Sequence, residues 1–394
     1  MNIAVIRKEC SFSRGGAERY CANFCRGLAE RGHRVYVVAQ SCDADIHPGI
    51  VHVPVRVNEL TSSTRNFSFH HNSQAALAAL QVERVFALSR TYPADAFRVS
   101  DPLHLSWMRI RYPGRLRHFM ESLNPRHRTI LALEKNIFRP ENTRLIITNS
   151  RMSKEQVMAF YGYPEERVHV VYNGVDLEKF SPATDDGEKG AKGELQLLFV
   201  AQDFRRKGLE PLLRALAILI GEGLDCRLLV VGGDRAAPFQ KQAQQLGIAS
   251  RVEFAGATRQ VEEYYRRADL MVFPTFADPF ANVCLEALAC GLPVVTTTSN
   301  GAAEIIDRRV DGYVIDGTRP FADQLVASIR EFASLPAAVR QDMGKRARVK
   351  AEGFPAAELK REGGTGGYPV VGGFCRFWRC SSWRATCFFS RASQ

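Results

Sequence analysis

No apolar run of about 18 residues occurs in the 394-residue chain, so no segment is expected to cross a bilayer as a helix. The opening residues, MNIAVIRKEC, turn from apolar to charged at once. They read as a strand rather than a signal peptide, which needs a longer apolar core and a small-residue cleavage site. There are 10 cysteines, but no pair has zinc-like spacing with histidines nearby. Reduced, mostly buried thiols in a cytoplasmic protein are the reading that follows. A dinucleotide fingerprint is also missing: the first glycine turn holds Gly15-Gly16, not G-x-G-x-x-G, and no acid closes the second strand. A dehydrogenase is therefore disfavoured. Acids are in deficit, 42 against 53 Lys and Arg, for a net charge of +11 and a pI near 9.3. That balance attracts anions without choosing among nucleic acid, anionic lipid and sugar phosphate.

What is present is an α/β alternation, run twice. At roughly 100–200 residues per domain, the length suits two domains. In the first half, strands are expected over 2–6, 34–39, 51–55, 84–88, 144–149 and 168–172. Helices are expected over 17–31, 72–80 and 153–161, the last opened by Ser153 with Gln156 in a capping pattern. The second half repeats the pattern with strands over 195–201, 226–231, 252–255, 268–276 and 294–297. Its helices are expected over 208–221, 240–246, 261–268 and 319–332, with one more between the last two strands. A polar Gly/Lys/Asp-rich stretch separates the halves. The expected organisation is a domain over 1–178, a linker over 179–194, a domain over 195–355 and an atypical tail over 356–394. Two such units present their strand ends to a shared cleft.

Several residues carry chemistry at those strand ends. The stretch 278–295, DPFANVCLEALACGLPVV, places Asp278 before a helix and Glu286 inside it, eight residues apart. Carboxylates accept from sugar hydroxyls, and the N–H groups of the helix start at Ala281, Asn282 and Val283 favour phosphate. Asp203-Phe204-Arg205-Arg206-Lys207-Gly208 sets cations beside another helix start, where they suit a diphosphate. Asp101 and His104 lie past the strand end in VSDPLHLSW. Residues 105–128 interleave six arginines with Trp107, Ile110, Tyr112, Leu116 and Phe119, a mixture that suits an anionic membrane surface. No nucleic-acid recognition fold surrounds that segment. Asp43-Ala44-Asp45 has the form of a metal-binding D-x-D but stands without a further acid cluster and reads as a polar loop.

Taken together, Gly15-Gly16-Ala17-Glu18, Asp101-Pro102 with His104, Asn173-Gly174-Val175-Asp176, Arg206-Lys207-Gly208 and the paired acids resemble the retaining glycosyltransferases of family 4. Within that family the resemblance is greatest to the lipopolysaccharide-core glucosyltransferases, and it spans residues 1–350. Asp278 stands where the family pattern carries Glu, one methylene longer. The resemblance implies a GT-B fold of two Rossmann-like domains. It also implies transfer of a hexose, glucose from UDP-glucose, to a lipid-linked or lipopolysaccharide-core sugar. By the same resemblance Asp278 holds sugar hydroxyls and Glu286 the ribose. Arg206, Lys207, Gly15, Gly16 and the Phe280, Ala281, Asn282, Val283 turn serve the donor, and Asp101 and His104 serve the acceptor side. No metal or other cofactor is expected, and the enzyme is placed on the inner face of the cytoplasmic membrane. Two rivals are a sugar-nucleotide epimerase and a basic nucleic-acid-binding protein. From about Lys360 the composition changes, with Cys375, Cys380 and Cys387 and no helical period. The expectation there is a frameshifted or otherwise unnatural, poorly packed end.

Overall fold

The computed structural model describes residues 1–12, 15–183, 193–317 and 321–356. The expectations for most of the linker and for the tail beyond residue 356 lie outside these residues, as do Ser13 and Arg14.

The first domain contains β1 (Asn2–Ile6), β2 (Glu9–Cys10), α1 (Gly16–Ala29), β3 (Arg34–Ala39), β4 (Ser41–Cys42), β5 (Ile50–Pro54), α2 (Ser62–Ala78), β6 (Arg84–Ala87) and β7 (Ala94–Val99). It continues with α3 (His104–Arg111), α4 (Arg115–Ser122), α5 (Pro125–Ile137), β8 (Thr143–Thr148), α6 (Arg151–Tyr161) and β9 (Val168–Val170). The second holds β10 (Leu195–Val200), α7 (Leu209–Gly221), β11 (Cys226–Val231), α8 (Ala237–Gln245), β12 (Val252–Gly256), α9 (Val261–Arg267) and β13 (Leu270–Phe273). It ends with α10 (Asn282–Ala289), β14 (Val294–Thr297), β15 (Gly312–Ile315), α11 (Ala322–Ser334) and α12 (Ala337–Glu352).

Each domain is built on one parallel sheet. The orders are β5-β3-β1-β6-β7-β8-β9 and β12-β11-β10-β13-β14-β15, with β2 and β4 forming a small parallel pair apart. Both sheets start at the centre, wind to one edge and then return to wind to the other. The chain therefore changes direction between β1 and β6 and again between β10 and β13, and ligands of open α/β sheets bind at such points. The central strands are buried on both faces. In β10 all of LQLLFV is buried, and in β13 and β14 every residue is, the continuous apolar reading of a parallel strand.

Local signals were sound where burial was two-sided and weaker at polar edges. α2 starts ten residues before the expected Asn72, because Thr61 caps it and exchanges hydrogen bonds with Thr64. Ser150, not Ser153, caps α6: its hydroxyl accepts the Ser153 N–H at 3.1 Å. β15 and α12 were missed, the first for its shortness and the second for its charge. α12 packs on α10, and Arg348 ties it to the linker and to the end of α10 by donating to the carbonyls of Phe180 and Ala289, respectively, at 2.9 Å each.

The domains are held across the cleft by polar contacts. Glu304 of the second domain accepts the N–H groups of Arg151 and Met152 at 2.9 and 2.7 Å and the Tyr172 hydroxyl at 2.9 Å. A carboxylate on the first turn of α6 completes two donors that no helical carbonyl can reach. Asn173 donates to the Asn282 side chain at 2.6 Å, and Arg98 in turn donates to Asn173 at 2.6 Å.

Candidate active site

The loop after β10 meets the end of β13 because of one glycine. Gly208 has φ +86°, and a Cβ there would lie 2.0 Å from the Pro274 carbonyl oxygen. Only glycine permits that approach. The contact delivers Lys207 to Asp278, whose Nζ and Oδ2 form an ion pair with side chains 10% and 13% exposed. The ammonium also lies 5.5 Å from the centre of the Phe273 ring. Burial sets the direction of the Lys207 pKa, which is lowered, while Asp278 opposes the shift and Arg206 adds to it. Arg206 itself donates to Asp203 at 3.0 Å and to the Ala277 carbonyl at 3.2 Å.

Asp278 turns the chain into α10. Its Oδ1 accepts the Phe280 N–H at 3.1 Å, and its own N–H bonds the Ser299 carbonyl at 3.0 Å. The expectation of three free N–H groups needs a correction. Ala281 donates to the Asn300 side chain at 3.1 Å, so its N–H is already satisfied. Asn282 and Val283, the first two residues of the helix, have no backbone acceptor among the described residues and remain open to an anion. Phe280 is buried, its ring 5.8 Å from that of Tyr172.

One helical turn further on, Glu286 accepts the Tyr265 hydroxyl at 2.9 Å. Burial raises its pKa, and the Tyr265 hydroxyl, Arg19 and Lys179 hold the rise back. Arg19 belongs to α1 of the other domain, so Glu286 faces the cleft. A carboxylate must be ionised to accept hydroxyls, so activity is expected to fall as pH drops through this raised pKa. Tyr265→Phe removes a donor to the ionised form and raises the pKa further. The acid limb of kcat/KM for the donor is expected to move to higher pH, and an unmoved limb would remove Glu286 from donor binding.

The glycine turn comes from the opposite wall. Gly15 precedes α1, and a Cβ on Gly16 would touch the Asn282 side chain at 3.4 Å. Two motifs more than 260 residues apart in the chain thus meet at one helix start.

Asp101 lies at the mouth of β7, its side chain 57% exposed and its Oδ2 3.6 Å from Arg90. Desolvation works to raise its pKa, but Arg90, Arg7, Arg206 and Lys8 outweigh it and the net shift is downward. Arg206 contributes from the second domain, so Asp101 also faces the cleft. His104 is placed differently. Its ring is buried, its Nε2 lies 2.9 Å from Nδ1 of His127, and its N–H is held by Glu134 at 3.0 and 2.9 Å. Burial, with Arg90, His127 and Arg126, pushes its pKa down to about 3, so the ring is neutral at physiological pH. It stacks on Trp107 at 5.5 Å.

Sequence reasoning missed Asn300, which orders the Asp278–Ala281 turn, Tyr265 behind Glu286, and Asn173, read only as part of a turn. An Asn just past a buried strand end was the available signal for Asn300. The D-x-D loop is structural, Asp43 accepting the Phe12 N–H at 3.0 Å. Among the described residues one group has the spacing of a metal site: the sulfurs of Cys10, Cys21 and Cys25, buried in the core of the first domain.

Comparison with known proteins agrees with this geometry. Residues 14–179 match the family model described as Glycosyltransferase Family 4, and residues 183–350 that described as Glycosyl transferases group 1. Lipopolysaccharide glucosyltransferase WaaG of Escherichia coli K12 is 28% identical over 355 residues, 86% of this chain and 92% of that protein. The crystal structure of WaaG, a glycosyltransferase involved in lipopolysaccharide biosynthesis, is similar with a TM-score of 0.78 at 26% identity, over 89% of this chain and 95% of that one. Anabaena HepE in complex with UDP and glucose shares the fold, with a TM-score of 0.67 at 19% identity over 90% and 96% of the two chains. The epimerase and nucleic-acid readings gain no support from these matches. With both halves of the chain matched by glycosyltransferase models and the cleft between them carrying the paired acids, the chain belongs to the GT-B glycosyltransferases of group 1 and family 4.

Proposed function

We propose that the protein transfers a hexose, glucose from UDP-glucose, with retention of configuration onto a lipid-linked or lipopolysaccharide-core sugar. The observation that carries the reading is the buried Lys207–Asp278 pair at the reversal point of the second sheet, beside the open N–H groups of Asn282 and Val283. The name of WaaG and the UDP and glucose held by HepE support the donor and acceptor classes.

In this reading Lys207, Arg206 and the start of α10 stabilise the charge that builds on the departing diphosphate. Asp278 takes hydroxyls of the sugar and Glu286 those of the ribose. Gly15 and Gly16 leave room for the donor phosphates, with Phe280 behind the turn. The bond from the anomeric carbon to the diphosphate breaks as the acceptor oxygen joins the same face, and the acceptor proton passes to the leaving phosphate oxygen. Asp101, ionised, orients the acceptor hydroxyl. His104, neutral and buried, is given a positioning role through Trp107. A metal is not needed where these cations neutralise the diphosphate. The test is UDP release from a panel of nucleotide sugars against core oligosaccharides, with and without a chelator. UDP-glucose is expected to lead, with turnover unchanged by chelation. Free isomerised sugar without an acceptor, or loss of turnover on chelation, would count against the reading.

The basic aromatic segment 105–128 divides in the structure. Trp107 and Tyr112 pack around His127 at 5.7 and 5.9 Å and are half-buried. α4 has no buried residue, and Leu116, Phe119, Met120 and Leu123 are between 56% and 76% exposed. These four lie on one helical stripe flanked by Arg115 and Arg117, and we place the membrane contact there. Replacing all four with Ser is expected to weaken binding to anionic vesicles by at least ~10-fold, since each inserted apolar side chain contributes about 1 kcal/mol or more. Turnover on a soluble acceptor should not change. Undiminished vesicle binding would move the contact elsewhere.

A further inference from the structure

A second feature of the cleft shares only Arg206 with the donor chemistry. A groove of about 620 Å³ runs between α3 and the second domain, with Trp107, Ile110 and Arg111 on one side and Arg205, Arg206 and Arg214 on the other. A neighbouring cavity of about 230 Å³ contains Asp278 and shares Ile110 and Ala277 with the groove. The residue assigned to the donor sugar and the arginines thus line adjoining cavities with Ile110 and Ala277 in common.

The charge in the groove is not balanced. Four guanidinium groups meet two carboxylates, Asp203 and Glu210. Arg206 pairs with Asp203 and Arg214 with Glu210, each at 3.0 Å. Arg111 lies over the Tyr112 ring at 5.6 Å, and neither it nor Arg205 has a carboxylate partner among the described residues. Unpaired guanidinium groups in a walled cleft focus positive potential and offer two parallel donors to an oxyanion. Beside them Trp107 is held flat by a chain of contacts: its ring stacks on His104 with an interplanar angle of 13°, and His104 is fixed by His127 and Glu134. The negative face of an indole attracts the weakly positive C–H face of a pyranose and leaves the ring hydroxyls outward.

We propose that this groove is the acceptor subsite and that it takes a sugar carrying an oxyanion, a phosphate monoester or a carboxylate. Trp107 lies under the ring while Arg111 and Arg205 hold the anion. The inference rests on the donor reading above, because that reading places the anomeric carbon at Asp278, next to the Ala277 that lines the groove. It also explains why His104 matters without reaching substrate: it sets the plane of the Trp107 ring.

The test uses the full chain and calorimetric binding of glucose 6-phosphate, glucuronic acid and glucose, each with UDP present. The anionic sugars are expected to bind at least ~10-fold more tightly than glucose, and the Arg111→Ala/Arg205→Ala variant should lose that preference. Both arginines are exposed, so this variant is expected to fold. Trp107→Phe, which keeps a ring, should weaken all three sugars together without changing their ratio. Whichever of phosphate and carboxylate binds better names the anion. Equal binding of charged and neutral sugars, or a preference that survives in the double variant, overturns the proposal. Protection of the chain against heat by UDP reads the Lys207 site separately. Loss of that protection with the anionic preference intact would fault the donor reading and leave the groove standing.

Discussion

Lys207→Ala is expected to reduce turnover by about 10²–10³-fold, the range seen when one group that stabilises developing charge is removed. Folding is affected as well, because the ammonium is the partner of a carboxylate that is itself only 13% exposed. Removing one member of a buried pair leaves the other charge unpaired, at a cost of roughly 3–5 kcal/mol. Lys207→Ala should therefore also lower the urea midpoint. Adding Asp278→Asn should restore much of the stability and none of the turnover, since the uncharged amide needs no counter-ion. Single-turnover UDP release and urea unfolding separate the two effects. A turnover loss below ~10-fold would exclude Lys207 from the chemistry. Stability equal to wild type would mean that the pair is not buried in solution.

Glu134→Ala is expected to destabilise the protein as strongly as Lys207→Ala. This residue is 2% exposed and gathers donors from three elements. It accepts the N–H of His104 at the start of α3, the Arg90 side chain at 2.9 Å after β6, and the Tyr161 hydroxyl at 2.7 Å at the end of α6. Alanine would leave the Arg90 guanidinium with only Asp101 at 3.6 Å and the Pro102 carbonyl at 3.2 Å, and two further donors unmatched. A loss of roughly 3–5 kcal/mol follows, a fall in Tm on the order of 10 °C. Glu134→Gln keeps an acceptor but no charge and should lose less. Because His104 and Trp107 are hung from this carboxylate, the alanine variant should also weaken acceptor use while sparing heat protection by UDP. A Tm within about 2 °C of wild type would show that Arg90 finds another partner.

The sequence by itself determined the class of the fold and most of the motif positions. Parallel strands buried on both faces read as nearly continuous apolar runs, so LQLLFV and the LMVF of ADLMVFPTF are legible without any knowledge of their neighbours, although the second strand ends at Phe273 rather than Phe276. Helices between such strands force the strand ends to one side, which is why Asp278, Lys207, Asp101 and the glycine turn could all be placed at a cleft in advance. What the tertiary structure alone decided is which charges are paired and which faces are covered. Lys207 meets Asp278 only because β10 and β13 are adjacent, 71 residues apart in the chain. Ala281 loses its free N–H to Asn300, and His104 is neutralised by a wall that includes His127, a residue in no motif. α3 and α4 have the same basic, aromatic composition, yet Trp107 is packed and Phe119 exposed. Composition and periodicity are properties of neighbours in sequence, whereas burial and ion pairing depend on contacts made once both sheets have closed on each other.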